Sequence, residues 1–150
     1  MTKATSATAR DTTSGDAAIR KTVRTGWLLL AIALPFGVTL EALHGFKVQA
    51  YLASDMRREM WRLAHAHGTL LGMLCLVSAA LAEAHIPEAI RARVLAMIRW
   101  GAVLMPLGFF LGGVLNSEGD PSLGILLVPP GALLLIVALV RAALAPRAKA

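Results

Sequence analysis

The sequence predicts an all-α membrane protein that folds as a bundle of four transmembrane helices. Of its 150 residues, 57% are hydrophobic and 16% are charged, whereas a soluble domain is about 45–50% apolar with about 25% charge. The mean hydropathy is +0.65. Four apolar runs each approach the ~20 residues that cross a bilayer. We predict spans at residues 25–46, 61–84, 94–115 and 123–144.

The segments outside these spans predict two tails around a transmembrane domain at residues 24–145. Residues 1–23 are rich in Thr, Ser, Ala and charge without apolar periodicity, so we expect a disordered tail. No small-residue cleavage site follows an early apolar run, which argues against a secretory signal. Asp11 and Asp16 argue against a transit peptide. Residues 146–150 form a short basic tail.

The first span carries two polar residues near its far end. Pro35 should kink the helix, and Trp27 suits a membrane interface. Glu41 and His44 are three residues apart and therefore share a helical face. A di-iron site needs several inward carboxylates, and the other acids lie in loops. We therefore interpret the pair as hydrogen-bonded or water-facing, with proton handling as the alternative.

The remaining spans and connections have simple signatures. The polar connection at residues 47–59 can hold a short interfacial helix. Pro106 should kink the third span, and its small-residue run at 108–113 is typical of a packing face. The fourth span is interrupted by Pro129 and Pro130.

The cations are distributed unequally between the two sides of the predicted bundle. One side has Lys3, Arg10, Arg20, Lys21, Arg24, Arg91, Arg93, Arg141, Arg147 and Lys149. The other has Lys47, Arg57, Arg58 and Arg62, and Arg99 lies within the third span. Because cations stay inside, we expect both termini in the cytoplasm of a bacterial cell, in its inner membrane. The scattered charge forms no basic stripe interleaved with aromatics, which excludes nucleic-acid binding.

The single cysteine excludes several kinds of site. Cys75 lies inside an apolar run, so an internal disulfide is impossible. Iron–sulfur clusters and thiolate zinc sites need several thiolates and are excluded as well. We interpret Cys75 as a small buried hydrophobic residue.

The segment at residues 61–72 holds the strongest candidate site. His65 and His67 stand at the start of the second span, followed by Gly68, Thr69 and Gly72. Small residues let a helix or a flat ligand approach the backbone, and an ionisable side chain within a span indicates a site. His65 shares a face with Thr69 and Gly72, whereas His67 lies about 200° around the helix.

The predicted topology gathers Glu41, His44, His65 and His67 near the outer face of the membrane. A neutral imidazole is the commonest side-chain ligand of iron, copper and zinc, and one histidine in a cleft of small residues suits haem. We expect one of His65 and His67 to face inward, and the other to face lipid headgroups, a loop or a neighbouring subunit. His85, beyond the second span, is interpreted as a loop histidine.

A short local pattern is shared with a known family. It consists of Trp61, Ala64, His65, Leu70 and Gly72, followed in the third span by Gly108, Phe109 and Phe110 and then by an acidic Gly/Pro-containing loop. With the order of the spans, this pattern resembles the styrene oxide isomerase and hydroxylaminobenzene mutase group of small four-helix membrane proteins. The likeness covers about residues 27–145.

The resemblance implies a trimer that carries haem b between neighbouring subunits, with His65 as the axial ligand. In the isomerases, ferric iron acts as a Lewis acid on an epoxide oxygen, and hydride migration gives an aldehyde without net redox change. This chain departs from the pattern at Leu71, where the isomerases have Asn, and at Phe110, where they have Tyr. His67 replaces a small residue.

These observations lead to three hypotheses about function. The first is a haem-b-binding isomerase or mutase that rearranges a small hydrophobic molecule such as an epoxide or an aryl hydroxylamine. The second is a non-catalytic haem or metal protein, a sensor or electron carrier. The third is a membrane scaffold with interfacial histidines. The expected cofactor-binding residues are His44, His65, His67, Gly68, Thr69, Gly72 and Phe110, with His65 as the metal ligand.

Overall fold

The computed structural model of the chain describes residues 2–114, 116 and 119–145, with side chains described from residue 14 onward. All elements in this part of the chain are helical, which confirms the all-α fold. They are α1 (Thr2–Gly45), α2 (Gln49–Leu52), α3 (Asp55–His85), α4 (Glu88–Val114), a 3-10 helix (Leu123–Leu127) and α5 (Val128–Ala143). Glu118 and the basic tail at 146–150 lie outside the described residues.

Four helices are long and apolar enough to cross a membrane. They cover Ser14–Gly45, Asp55–His85, Glu88–Val114 and Leu123–Ala143. The four predicted spans fall on these helices, and the short helix expected in the polar connection is α2. Pro129 and Pro130 occupy the first turn of α5, where a missing backbone N–H costs nothing.

Residues 2–23, for which the sequence predicts a disordered tail, are helical in the structure, where α1 begins at Thr2. Ala18 and Thr22 are buried in this part of the helix. The Thr22 hydroxyl donates to the Ala18 carbonyl at 2.7 Å, and Arg99 donates to the Thr22 hydroxyl at 3.3 Å. The segment contacts the bundle through small residues, which produce no apolar periodicity in the sequence.

The helices pack mainly as successive neighbours: α1 against α3, α3 against α4, and α4 against α5. The first pair is antiparallel, because Gly26 meets Gly72 while Gly37 meets His65. Helix α4 also contacts α1, whereas α5 makes no comparable contact with α1 or α3 among the described residues. The buried core lies between α3 and α4 and includes Cys75, Val94, Leu95, Ile98 and Ala102.

Small residues bring the helix backbones close together. A Cβ at Gly26 would lie 2.8 Å from the Gly72 carbonyl, and one at Gly101 would lie 2.7 Å from the Gly131 carbonyl. In the run at 108–113, Gly113 lies under Trp61, which confirms this run as a packing face.

Polar contacts stabilise the end of the bundle at which α1 ends and α3 begins. Arg57 Nε donates to the Gly113 carbonyl at 3.1 Å, and its guanidinium lies 5.9 Å from the centre of the Trp61 ring. Trp61 Nε1 donates to the Phe110 carbonyl at 3.2 Å. Asn116 Nδ2 donates to Ser54 Oγ at 2.9 Å. The start of α3 is therefore fixed to the end of α4.

Candidate functional site

His65 lies half-buried on α3 and contacts α1. Its Nδ1 is 2.9 Å from the carbonyl oxygen of Ala33. A carbonyl oxygen only accepts hydrogen bonds, so in the neutral imidazole Nδ1 carries the proton and Nε2 keeps its lone pair. No described residue forms a hydrogen bond with Nε2, and this atom is not among the buried unsatisfied ones. The contact therefore selects the tautomer in which Nε2 can bind a metal.

Gly37 on α1 makes room for this imidazole. A Cβ at position 37 would lie 2.6 Å from Nδ1 and 2.8 Å from Nε2 of His65. Atoms cannot approach that closely without displacement, so any side chain at this position would move the ring. The close approach of His65 to α1 depends on this glycine.

A cavity of about 840 Å³ opens beside His65 between α1, α2 and α3. This volume is within the range of sites for small molecules and cofactors, about 300–1,000 Å³. It is lined by Leu34, Gly37, Val38, Leu40, Glu41, His44, Tyr51, Arg58, Glu59, Arg62, Leu63, His65 and Ala66. The predicted convergence of Glu41, His44 and His65 is therefore confirmed, because all three line one cavity.

The two long walls of this His65 cavity carry different charges. Helix α1 contributes Glu41 and His44, whereas α3 contributes Arg58 and Arg62 together with Glu59. Arg58 donates to the Leu52 carbonyl and pairs with Asp55. No ion pair joins Glu41 to either arginine in the described part of the chain. The cavity thus holds acidic and basic groups that are not neutralised by one another.

His67 points in another direction from His65. Its ring lies 4.7 Å from the Phe109 ring centre, and its Nδ1 is 2.9 Å from the Leu63 carbonyl. His67 is half-buried, packs against Phe109 on α4 and does not line the His65 cavity. That it faces lipid headgroups, a loop or a neighbouring subunit stays a prediction. Residues separated by about 200° cannot face the same cavity.

A second, apolar groove of about 450 Å³ lies between α1, α3 and α4. Its lining is Leu29, Ile32, Ala33, Phe36, Ala64, Gly68, Val103, Pro106, Leu107 and Phe110. Phe110 is stacked on Trp61 with ring centres 6.0 Å apart and meets Phe36 edge-on at 5.6 Å. Gly68 and Phe110, expected near the cofactor, thus belong to this groove and not to the His65 cavity.

The two remaining residues of the expected cofactor-binding set, Thr69 and Gly72, make contacts within or between helices. The Thr69 hydroxyl donates to the His65 carbonyl at 3.0 Å, and Gly72 packs against α1. Neither lines the His65 cavity or the apolar groove. The expected set therefore divides: His44 and His65 share one cavity, and the others lie elsewhere.

Three residues at the site, Gly37, Arg58 and Arg62, were not predicted from the sequence. Their spacing carries a signal, since Gly37, Glu41 and His44 are at i, i+4 and i+7, as are Arg58, Arg62 and His65. Two such faces in antiparallel helices can form one cavity. The sequence alone does not pair the helices, so this signal could be recognised only with the fold.

The side chains alone do not form a metal site. Nowhere in residues 14–114, 116 and 119–145 do three His, Cys, Asp or Glu side chains come close enough to hold an ion. No family model, curated protein or solved structure matches this chain. Its function is therefore argued from the His65 cavity itself.

Proposed function

We propose that this chain is an integral membrane protein that binds haem b, with His65 as the axial ligand. The observation that carries the proposal is the hydrogen bond from His65 Nδ1 to the Ala33 carbonyl at 2.9 Å, beside a cavity of about 840 Å³. A backbone carbonyl on Nδ1 is the usual second partner of a metal-bound histidine, since it fixes the ring and raises the basicity of Nε2.

The donor set favours haem over a bare metal ion. One imidazole is a weak site by itself, and the described residues offer no group of three ligands. A porphyrin brings its own nitrogen ligands and needs only an axial one from the protein. Leu34, Val38 and Leu63 supply apolar contact within the cavity.

We further propose that the bound cofactor assists a non-redox rearrangement of a small hydrophobic molecule. When bound, ferric haem supplies a Lewis acid that polarises an oxygen-containing substrate. The chain's own contribution is to hold His65 through Ala33 and to offer apolar contact to the substrate through Leu34, Val38 and Leu63. Glu41 and His44 can exchange a proton at the cavity mouth through a carboxylate oxygen and an imidazole nitrogen.

A non-catalytic haem protein is the second candidate. The two positions at which the isomerases carry polar groups are apolar here and lie away from the His65 cavity. Leu71 is 6% exposed within the core, and Phe110 lines the other groove. The His65 cavity therefore lacks the polar groups that the isomerases carry at these two positions. Their absence favours a haem protein without catalysis, such as a sensor or electron carrier.

The assembly and orientation belong to the same proposal. The apolar helices place the chain in a lipid bilayer. A homotrimer follows from the resemblance, and the cation distribution supports termini on the cytoplasmic side of a bacterial inner membrane.

Absorbance of the purified protein tests haem binding. The chain is produced with ample haem, purified in detergent and compared with His65→Ala and His85→Ala. His85 is an exposed histidine at the end of α3 and serves as the matched control. A Soret band that disappears only in His65→Ala supports the proposal. A colourless wild-type protein contradicts it and favours the scaffold hypothesis.

Turnover separates the two haem-based candidates. Wild-type protein that carries haem is incubated with an epoxide and with an aryl hydroxylamine. Conversion that His65→Ala abolishes supports the isomerase or mutase. Stable haem without conversion of either compound supports the non-catalytic protein.

A further inference from the structure

We infer that Arg58 and Arg62 form a carboxylate-binding site at the mouth of the His65 cavity. For a bound porphyrin this site would take the propionate groups. The porphyrin assignment rests on the proposed function, whereas the carboxylate site rests on the cavity and its charges alone. Both arginines line the same cavity as His65.

The positions of the arginines follow from the helix geometry of α3. Arg58, Arg62 and His65 lie on one face at i, i+4 and i+7. Arg62 is about 4.5 Å and Arg58 about 10 Å from His65 along the helix axis, toward the end of the bundle. A ligand that contacts His65 and extends toward this end of the bundle therefore comes close to the two guanidinium groups.

Arg62 has the larger capacity for a ligand. Its side chain is exposed and makes no hydrogen bond or ion pair with any described residue. Arg58 already uses donors for the Leu52 carbonyl and Asp55. A guanidinium presents a planar fork of donors that matches both oxygens of a carboxylate. Arg62 therefore provides the main contact, and Arg58 adds positive charge.

The acidic residues at the cavity do not occupy the donors of the Arg62 guanidinium. Glu41 lies on the α1 wall and Glu59 on α3, both at the cavity, yet neither pairs with Arg62 in the described residues. Glu59 therefore lowers the net positive charge of the α3 wall but leaves the donors of Arg62 available. A ligand with a carboxylate directed at α3 and an apolar body is complementary to this arrangement.

Porphyrin probes test the carboxylate site without iron. The dissociation constants of metal-free protoporphyrin IX and its dimethyl ester are measured by fluorescence for wild-type protein, Arg62→Gln, and Arg58→Gln with Arg62→Gln. Arg93→Gln, an exposed arginine near the start of α4, is the matched control. We expect wild-type protein to prefer the acid over the ester. Arg62→Gln should weaken acid binding about tenfold or more and leave ester binding unchanged.

Several results would overturn the inference: equal wild-type affinity for acid and ester, unchanged acid binding in the double variant, or an equal loss from Arg93→Gln. A variant that loses acid and ester binding equally has lost the cavity itself, which also counts against a carboxylate contact. The same titrations with haem and His65→Ala separate the two proposals. If His65→Ala binds haem like wild-type protein while the acid preference persists, haem ligation fails and the carboxylate site stands.

Discussion

At the scale of single residues, Gly37 and His65 determine how α1 and α3 meet. A glycine within a helix costs about 1 kcal/mol relative to alanine. At position 37 the absence of a side chain lets the imidazole reach the Ala33 carbonyl. A Cβ there would lie 2.6 Å from Nδ1 of His65. The position of the His65 ring therefore depends on a glycine at position 37.

The first prediction concerns Gly37→Ala. This substitution should lower the free energy of unfolding by about 1–3 kcal/mol, because the methyl group overlaps the His65 ring. In a His65→Ala background the ring is absent, and the same change should stabilise the protein by up to about 1 kcal/mol. Thermal or denaturant unfolding in detergent measures both values. Equal effects in the two backgrounds would show that the ring does not occupy this position.

The helical spacing identified the two candidate histidines but did not choose between them, and the prediction of His65 as the metal ligand came from the resemblance. The spacing of His65 and His67 correctly put them on different faces of one helix. Which histidine lines the cavity depends on the helix that packs against each face of α3. His65 meets Gly37 on α1, whereas His67 meets Phe109 on α4. The sequence of α3 alone does not contain that information.

At the scale of helices, a polar contact joins α4 to the early part of α1. Arg99 Nη1 lies 3.3 Å from the Thr22 hydroxyl and 3.4 Å from the Ala18 carbonyl. Thr22 is 0% exposed. An arginine within a span needs such partners, since an unpaired charge there is costly. This contact joins residues 18–22, which were predicted to belong to the disordered tail, to α4.

The second prediction tests this contact with Thr22→Val, which keeps the side-chain volume. It should lower the free energy of unfolding by about 1–3 kcal/mol, because Arg99 loses an acceptor. Thr39→Val is the matched control: Thr39 is exposed and its hydroxyl makes the same local bond, to the Pro35 carbonyl. Unfolding in detergent measures both variants. A loss of equal size in the two would contradict a role for the interhelical bond.

The third prediction concerns the contact of α4 with α5. Gly101→Ala should destabilise the protein by about 1–2 kcal/mol, because its Cβ would lie 2.7 Å from the Gly131 carbonyl. Gly112→Ala is the control in the same helix, since its nearest neighbour would be 3.5 Å away at Met60. We expect it to be neutral or slightly stabilising. Unfolding curves that rank the two variants in the opposite order would contradict this packing.

At the scale of the whole molecule, the fold class was predictable because the solvent dictates it. Apolar runs of sufficient length must form helices that satisfy their own backbone hydrogen bonds, and the described chain has four of them. The pairing of the helices was not predictable, because in a membrane it depends on close contact of small residues. Gly26 with Gly72 and Gly101 with Gly131 are such contacts.

The cavity is likewise a property of the whole bundle. Topology alone predicted that Glu41, His44 and His65 lie at the same end, and the structure places them around one cavity. The contribution of Arg58 and Arg62 to the cavity was missed, since cations at the end of a span are usually explained by membrane orientation. The packing of α1 against α3 shows that these residues also line the cavity.

Rescue of a ligand-free variant tests haem ligation by His65 most directly. His65→Gly is purified with ample haem, and its Soret absorbance is recorded without and with added imidazole, beside His44→Gly. We expect His65→Gly to lack bound haem and to regain it with imidazole, while His44→Gly keeps its haem throughout. A His65→Gly protein that retains as much haem as the wild type, without imidazole, would contradict the assignment of His65 as the axial ligand.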